Sequence, residues 1–195
     1  MQDTTQYKIL CTGNPMDRGI AQSIQKIYPA TEFISRSNGY NFNPFTSELE
    51  DRLRSKIANF NILINYSWVT YGVQERILKI ASEVWTSGHV INIGSINEDN
   101  EILTKVEPIY TADKISLRKT SLKLNNENFK TTHIVVGGFQ ATSPGSDPTM
   151  DPMHIANAIK WIIESPFEIP IIGIQQSSDY IRNSLAERAT REPYA

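Results

Sequence analysis

Six short runs of mostly aliphatic residues alternate with segments whose apolar positions recur every three or four residues, and that alternation restricts the chain to an α/β architecture. The runs are Lys8–Thr12, Glu32–Ser35, Asn61–Asn65, His89–Ile93, Thr132–Val136 and Pro170–Ile174. Several are apolar nearly throughout, as strands covered on both faces must be. Between them Ile20/Ile24/Ile27/Tyr28, Leu49/Leu53/Ile57, Val73/Ile77/Ile80/Val84 and Ile155/Ile159/Ile162 each trace one helical face. The expected fold is therefore Rossmann-like: a doubly wound, mostly parallel sheet with helices on both faces. A fifth helix, from about Thr111 to Glu127, carries two stripes, Ala112/Ile115/Leu122 and Leu117/Leu124; either one faces the sheet and the other a neighbouring helix or another subunit, or the two form a single broad buried face.

The chain has 195 residues and 39% hydrophobic content, which suits one domain over 1–195 with a polar tail from about Ser177. Nineteen basic against 21 acidic residues leave a net charge of −2, with no electrostatic footprint for nucleic acid. No apolar run reaches the roughly 18 residues of a spanning helix, and Met1–Gln6 has no leader-like pattern, so no membrane partner and a cytoplasmic location are expected. The single cysteine, Cys11, sits in an apolar run and is expected to be a buried hydrophobe. His89, His133 and His154 show no paired-ligand spacing, so no metal is predicted.

Chemistry is expected first where Thr12-Gly13-Asn14-Pro15-Met16-Asp17-Arg18-Gly19-Ile20-Ala21 joins a strand to a helix. A glycine turn at a helix N-terminus suits an anion, because backbone N–H groups and the helix dipole converge there. Gly13, Asn14, Arg18, Gly19 and Ile20 are the candidate phosphate-binding residues. The second strand ends in Ser35-Arg36-Ser37, where a doubly wound fold places the ribose of a dinucleotide. An arginine there accommodates a 2′-phosphate, so Arg36 favours NADP over NAD. Ser95 follows the fourth strand, and Tyr110 and Lys114 stand one helical turn apart on one face. A phenol titrating near ~10 needs a neighbouring cation to act as a base at neutral pH.

In order and spacing these features resemble the short-chain dehydrogenase/reductase family, from about Tyr7 to Ile174. Thr12-Gly13 with Gly19-Ile20-Ala21 is similar to the family's cofactor turn, Asn92-Ile93-Gly94-Ser95 to the strand bearing its serine, and Tyr110-Thr111-Ala112-Asp113-Lys114 to its Tyr-x-x-x-Lys. Val136-Gly137-Gly138-Phe139-Gln140-Ala141-Thr142 resembles its Pro-Gly-x-x-x-Thr segment. The resemblance implies that Ser95 positions a substrate oxygen, Tyr110 is the general acid/base, Lys114 lowers the tyrosine pKa and binds the nicotinamide ribose, and Thr142 touches the nicotinamide. It places Asn41 near adenine and Asn65 at the first position of Asn-Asn-Ala-Gly. It also implies a small carbonyl or alcohol substrate and a homodimer or homotetramer paired through the Tyr-x-x-x-Lys helix and the one before it.

The chain departs from the pattern at named places. Asn65-Tyr66-Ser67-Trp68 replaces Asn-Asn-Ala-Gly, and Gly137-Gly138 replaces Pro-Gly. About five residues join Ser35 to a third strand expected near Tyr40–Phe42, too few for a helical crossover. The family's fourth catalytic residue, an asparagine, has no counterpart, and Ser67 or Thr70 is the expected substitute. Tyr66, Trp68 and Tyr71 form an aromatic cluster near the expected pocket. The competing expectations are a non-catalytic NADP-binding sensor or regulatory protein and a nucleotide-free scaffold.

Overall fold

Because the strand residues are apolar on both sides, each side must find a layer of helices. A computed structural model describes residues 7–17, 19–99, 105, 107–138 and 150–175. The six expected strands form as β1 (Ile9–Thr12), β2 (Glu32–Ile34), β3 (Ile62–Asn65), β4 (Gly88–Ile93), β5 (Phe129–Val136) and β6 (Ile171–Ile174). All pair in parallel in one sheet of order β2-β1-β3-β4-β5-β6. The helices are α1 (Ile20–Ile27), α2 (Ser47–Ile57), α3 (Val73–Val84), α4 (Pro108–Leu124) and α5 (Pro152–Glu164).

Leu10, Leu63 and Val90 point to the face covered by α2, α3 and α4, where they meet Leu53, Ile77 and Leu117. Ile9, Cys11, Ile64 and Ile91 point the other way and meet Ile20 and Ile24 of α1 and Ile155 and Ile159 of α5. Each fully buried aliphatic contributes roughly 1.5–3 kcal/mol, so this alternation fixes the strand register. Cys11 is buried as expected, and that burial pushes its thiol pKa well up. Helix ends follow from sequence: Thr46 accepts the Leu49 N–H at 3.2 Å to start α2, and Asp151 accepts the Met153 N–H at 2.8 Å ahead of Pro152 in α5.

Two expectations need correction. Tyr40–Phe42 is not a strand; after β2 the chain makes a single 3-10 turn, Arg36–Asn38, and a loop leading to α2. The connection is too short for a crossover helix, so β2 stays at the sheet edge and the order lacks the outermost strand of the 3-2-1-4-5-6 pattern. Nor does a neighbouring helix of the same chain cover the second side of α4: Leu117 is buried and Leu124 partly so, whereas Ala112 and Leu122 face outward and Ile115 is only half-buried. No helix among the described residues is long and apolar enough to cross a membrane.

Candidate active site

The strand order reverses between β1 and β3, and the crevice beyond their C-terminal ends is where a doubly wound sheet binds ligands. Thr12 ends β1 with a hydroxyl that accepts the Tyr66 and Ser67 N–H groups, each at 2.9 Å, tying the two strand ends together. Over this point opens a cleft of about 620 Å³, within the range of small-molecule sites. Gly13, Asn14, Arg36 and Asn41 line it, with Ser35 and Ser37 beside the arginine. Asp17, Tyr66 and Ser67 complete the wall toward β3.

Four of the sequence-predicted cofactor residues thus share one cleft, and of the other described ones Gly19, Ile20, Asn65 and Lys114 do not line it. Gly13 and Gly19 adopt φ of 128° and 129°, a region closed to ordinary side chains, which explains both glycines. The Gly13 N–H is already spent on the Ile34 carbonyl at 2.8 Å, and Asn14 uses its side-chain oxygen to accept the Met16 N–H at 3.1 Å. Ile20 is a core residue, fully buried under the sheet. Asn65 is fully buried too, and its amide donates to the Gln74 carbonyl and Asn92 Oδ1, both at 2.8 Å. Arg18 and Thr142 lie outside the described residues, as does the tail from Ser177.

Ser95, Tyr110 and Lys114 do come together. Ser95 follows β4, where Gly94 N–H bonds the Ile134 carbonyl at 2.8 Å. Glu98, three residues on, accepts the Ser95 N–H at 2.7 Å, and Ser95 Oγ accepts the Asn97 N–H at 3.3 Å, so the serine starts a reciprocal cap on the short turn Ile96–Asp99. The Glu98 carboxylate, with no exposed surface, also meets His133 Nε2 at 3.0 Å. Tyr110, in the first turn of α4, is close enough to Ser95 for that side chain to pull the phenol pKa down. The Lys114 ammonium lies 5.4 Å from the centre of the Tyr110 ring, within cation–π range.

The electrostatics of this group differ from the expectation. Burial raises the Tyr110 pKa above the ordinary tyrosine value, with Glu107, Glu98 and Asp113 adding to the rise and Ser95 opposing it. The phenol is therefore held protonated, and the lysine does not reverse that. Lys114 itself is 2% exposed, and burial lowers its pKa to about 8 against the opposing pull of Asp113 and Glu98. Its ammonium donates to Gln74 Oε1 and to the Ile93 carbonyl, the latter at 2.8 Å. Gln74 continues the network by donating to the Asn65 carbonyl at 2.7 Å, and Asn92 donates to Ser121 Oγ at 3.2 Å.

Gln74 is thus the α3 side chain that meets the lysine. A polar residue inside the apolar face Val73/Ile77/Ile80 was the available signal. Glu98 was also legible, as the fourth residue of Ser-x-x-Glu after a strand. Asp113 carried no sequence signal beyond lying inside Tyr-x-x-x-Lys. It is 1% exposed and accepts the Trp68 indole N–H at 2.7 Å and the Gly72 N–H at 2.8 Å, pinning Trp68 edge-on against Tyr110 with ring centres 5.1 Å apart.

No protein-family model and no curated protein matches the sequence. Solved structures do match in shape. A 3-alpha-hydroxysteroid dehydrogenase from Pseudomonas sp., complexed with NADH, superposes with a TM-score of 0.67 at 10% identity over 91% of this chain and 99% of that one. A bulky-bulky ketone specific alcohol dehydrogenase from Comamonas testosteroni gives 0.66 at 14% identity over 98% of both chains. A short chain dehydrogenase from Burkholderia cenocepacia in complex with NADP gives 0.63 at 10% identity over 95% and 94%. The chain has the fold of the short-chain dehydrogenase/reductases, in a shortened form.

Proposed function

We propose that the protein is an NADP-dependent oxidoreductase acting on a small carbonyl or alcohol, with Ser95 and Tyr110 as catalytic residues. The observation that carries this reading is the meeting of Ser95, Tyr110 and Lys114, with the Lys114 ammonium 5.4 Å from the centre of the phenol ring. The cleft at the strand reversal fits the adenosine end of the cofactor. Arg36 there offers a planar set of donors for a 2′-phosphate, Asn41 offers amide contacts for adenine, and no acidic residue follows β2 to select a free 2′-hydroxyl. When bound, a reduced nicotinamide supplies the hydride.

The chain's own residues supply the rest. Ser95 orients the substrate oxygen, and Tyr110, held protonated, is poised to donate its proton to that oxygen when a carbonyl is reduced. Lys114, fixed by Gln74 and the Ile93 carbonyl, keeps a positive charge under the ring and stabilises the phenolate left after transfer. Asp113 keeps Trp68 against the phenol and limits its motion. The outward face of α4, with Ile109 at 68% and Leu122 at 43% exposure, supports pairing of two copies. We read residues 1–195 as one such domain, working in the cytoplasm.

A second reading, a nucleotide-binding protein without turnover, draws on a different observation: neither Ser95 nor Tyr110 lines the cleft that holds Arg36. Titration with NADPH and NADH, followed by nicotinamide fluorescence, tests the binding shared by both readings. Tighter binding of NADPH that weakens about tenfold in Arg36→Ala is expected. Equal affinity for the two cofactors, unchanged in the variant, would remove the NADP assignment.

A further inference from the structure

On the wall of the cleft nearer β4 stands Tyr66, at the position where the Asn-Asn-Ala-Gly pattern has its second asparagine. Its ring is packed on the glycine turn: a Cβ built on Gly13 would lie 2.4 Å from Tyr66 Cε1 and 2.9 Å from Cδ1. Its hydroxyl reaches to 4.0 Å from the corresponding point on Gly19, at the start of α1. Two hydrogen bonds to Thr12 Oγ1, from the N–H groups of Tyr66 and Ser67, fix the backbone that carries the ring. Burial raises the pKa of the phenol, and Cys11 and Asp17 add to that, so a neutral ring sits there.

The space beside a glycine turn is where a dinucleotide's pyrophosphate approaches the backbone. In this chain the Tyr66 ring takes up part of that space. The cleft runs from Arg36 and Asn41 past Gly13, Asn14 and Asp17 of the turn to Tyr66, Ser67 and Val69, and neither Ser95 nor Tyr110 is among its lining residues.

We infer that Tyr66 sets the ligand specificity of the cleft, which accepts an adenosine 2′-phosphate group as it stands and accepts a whole dinucleotide only when the Tyr66 ring leaves the glycine turn. The inference rests on the nucleotide reading of the cleft. Its consequence is that the nicotinamide half of NADPH adds little net affinity, because what it gains is offset by displacing a packed aromatic ring. Binding of the dinucleotide therefore includes a ring-opening step that binding of the adenosine half lacks. The ring, not its hydroxyl, is the barrier.

The test uses the full chain, with NADPH and adenosine 2′,5′-bisphosphate as probes, by calorimetry and stopped-flow fluorescence. In the native protein the bisphosphate is expected to bind within about threefold of NADPH, and NADPH binding is expected to reach a limiting rate that the bisphosphate does not show. Tyr66→Ala should tighten NADPH about tenfold, abolish the limiting rate and leave the bisphosphate within about threefold; Tyr66→Phe should behave as the native protein. NADPH binding more than about tenfold tighter than the bisphosphate in the native protein, with no limiting rate, would overturn the inference whatever the variants do. Tightening below about threefold in Tyr66→Ala would also overturn it. If neither probe binds, the nucleotide reading fails first, and that outcome is distinct from a cleft that binds both without regard to Tyr66.

Discussion

Replacing Lys114 by methionine tests whether this chain carries a buried charge at a cost. Burial lowers the lysine pKa from 10.5 to about 8, and at about 1.4 kcal/mol per tenfold change in proton affinity this is ~3 kcal/mol of destabilisation while the amine is protonated. The sign follows from proton binding. Between pH 8 and 10.5 the unfolded chain binds the proton that the folded chain has released, so the lysine's penalty fades as pH rises through that window. Methionine matches the length and removes the charge but leaves Gln74 Oε1 and the Ile93 carbonyl without their donor, a loss of about 1–3 kcal/mol that does not vary with pH. The two terms nearly cancel at pH 7, so Lys114→Met should fold about as well as the native protein there. Urea denaturation of both proteins from pH 7 to 10.5, read by tryptophan fluorescence, isolates the lysine. Titration of Cys11 and of the tyrosines other than Tyr110 is common to both curves and drops out of the difference. Native stability minus variant stability should rise by ~3 kcal/mol across the range. A flat difference, or one that falls, would refute the burial argument. Loss of carbonyl turnover in a variant of undiminished stability at pH 7 would identify the lysine as kept for chemistry rather than for folding.

Other changes have equally definite outcomes. Gly94→Ala would put a Cβ 2.2 Å from His133 Nε2 and 2.4 Å from Glu98 Oε1, so it should cost about 3 kcal/mol or more by splitting that pair, visible as a lowered thermal midpoint. Asp113→Ala removes the acceptor of both the Trp68 indole and the Gly72 N–H and should cost ~2–4 kcal/mol in urea denaturation while freeing Trp68 from Tyr110, which a shift in tryptophan emission reports. Burial lowers the His89 pKa to about 4, with Lys130 contributing, so the folded chain binds fewer protons than the unfolded one between about pH 4 and 6.5. Stability should fall by ~2–3 kcal/mol as pH drops through that window, and His89→Gln should remove this part of the slope; an unchanged slope would contradict it.

The strands were legible because β1, β3 and most of β4 and β5 are buried on both faces, and β1 and β3 are apolar up to their last residue. The coincidence of Ser95, Tyr110 and Lys114 was legible for a related reason: one follows a buried strand, and the other two share a helical face. Helix α4 was misread because hydropathy finds apolar stripes, and its buried face is mostly polar: Thr111, Asp113, Lys114 and Ser121 with Leu117 alone apolar. Asp113, Lys114 and Ser121 are buried because partners on other elements satisfy them, and spacing along one helix does not reveal those partners. Asn65 was read as facing the cofactor because of its motif position, whereas its side chain is committed inward to Asn92 and Gln74. The strand expected at Tyr40–Phe42 failed on chain length, which the sequence itself stated.

The central claim is that Tyr110, beside Ser95 and backed by Lys114, delivers a proton during carbonyl reduction. The most direct measurement is NADPH consumption at 340 nm against a panel of small aldehydes and ketones, for the native protein and Tyr110→Phe in parallel. Turnover of at least one carbonyl that falls by about a hundredfold or more in the variant, with NADPH affinity unchanged, is the predicted result. Turnover that survives intact in Tyr110→Phe, or NADPH bound by the native protein with no carbonyl consumed, would contradict it.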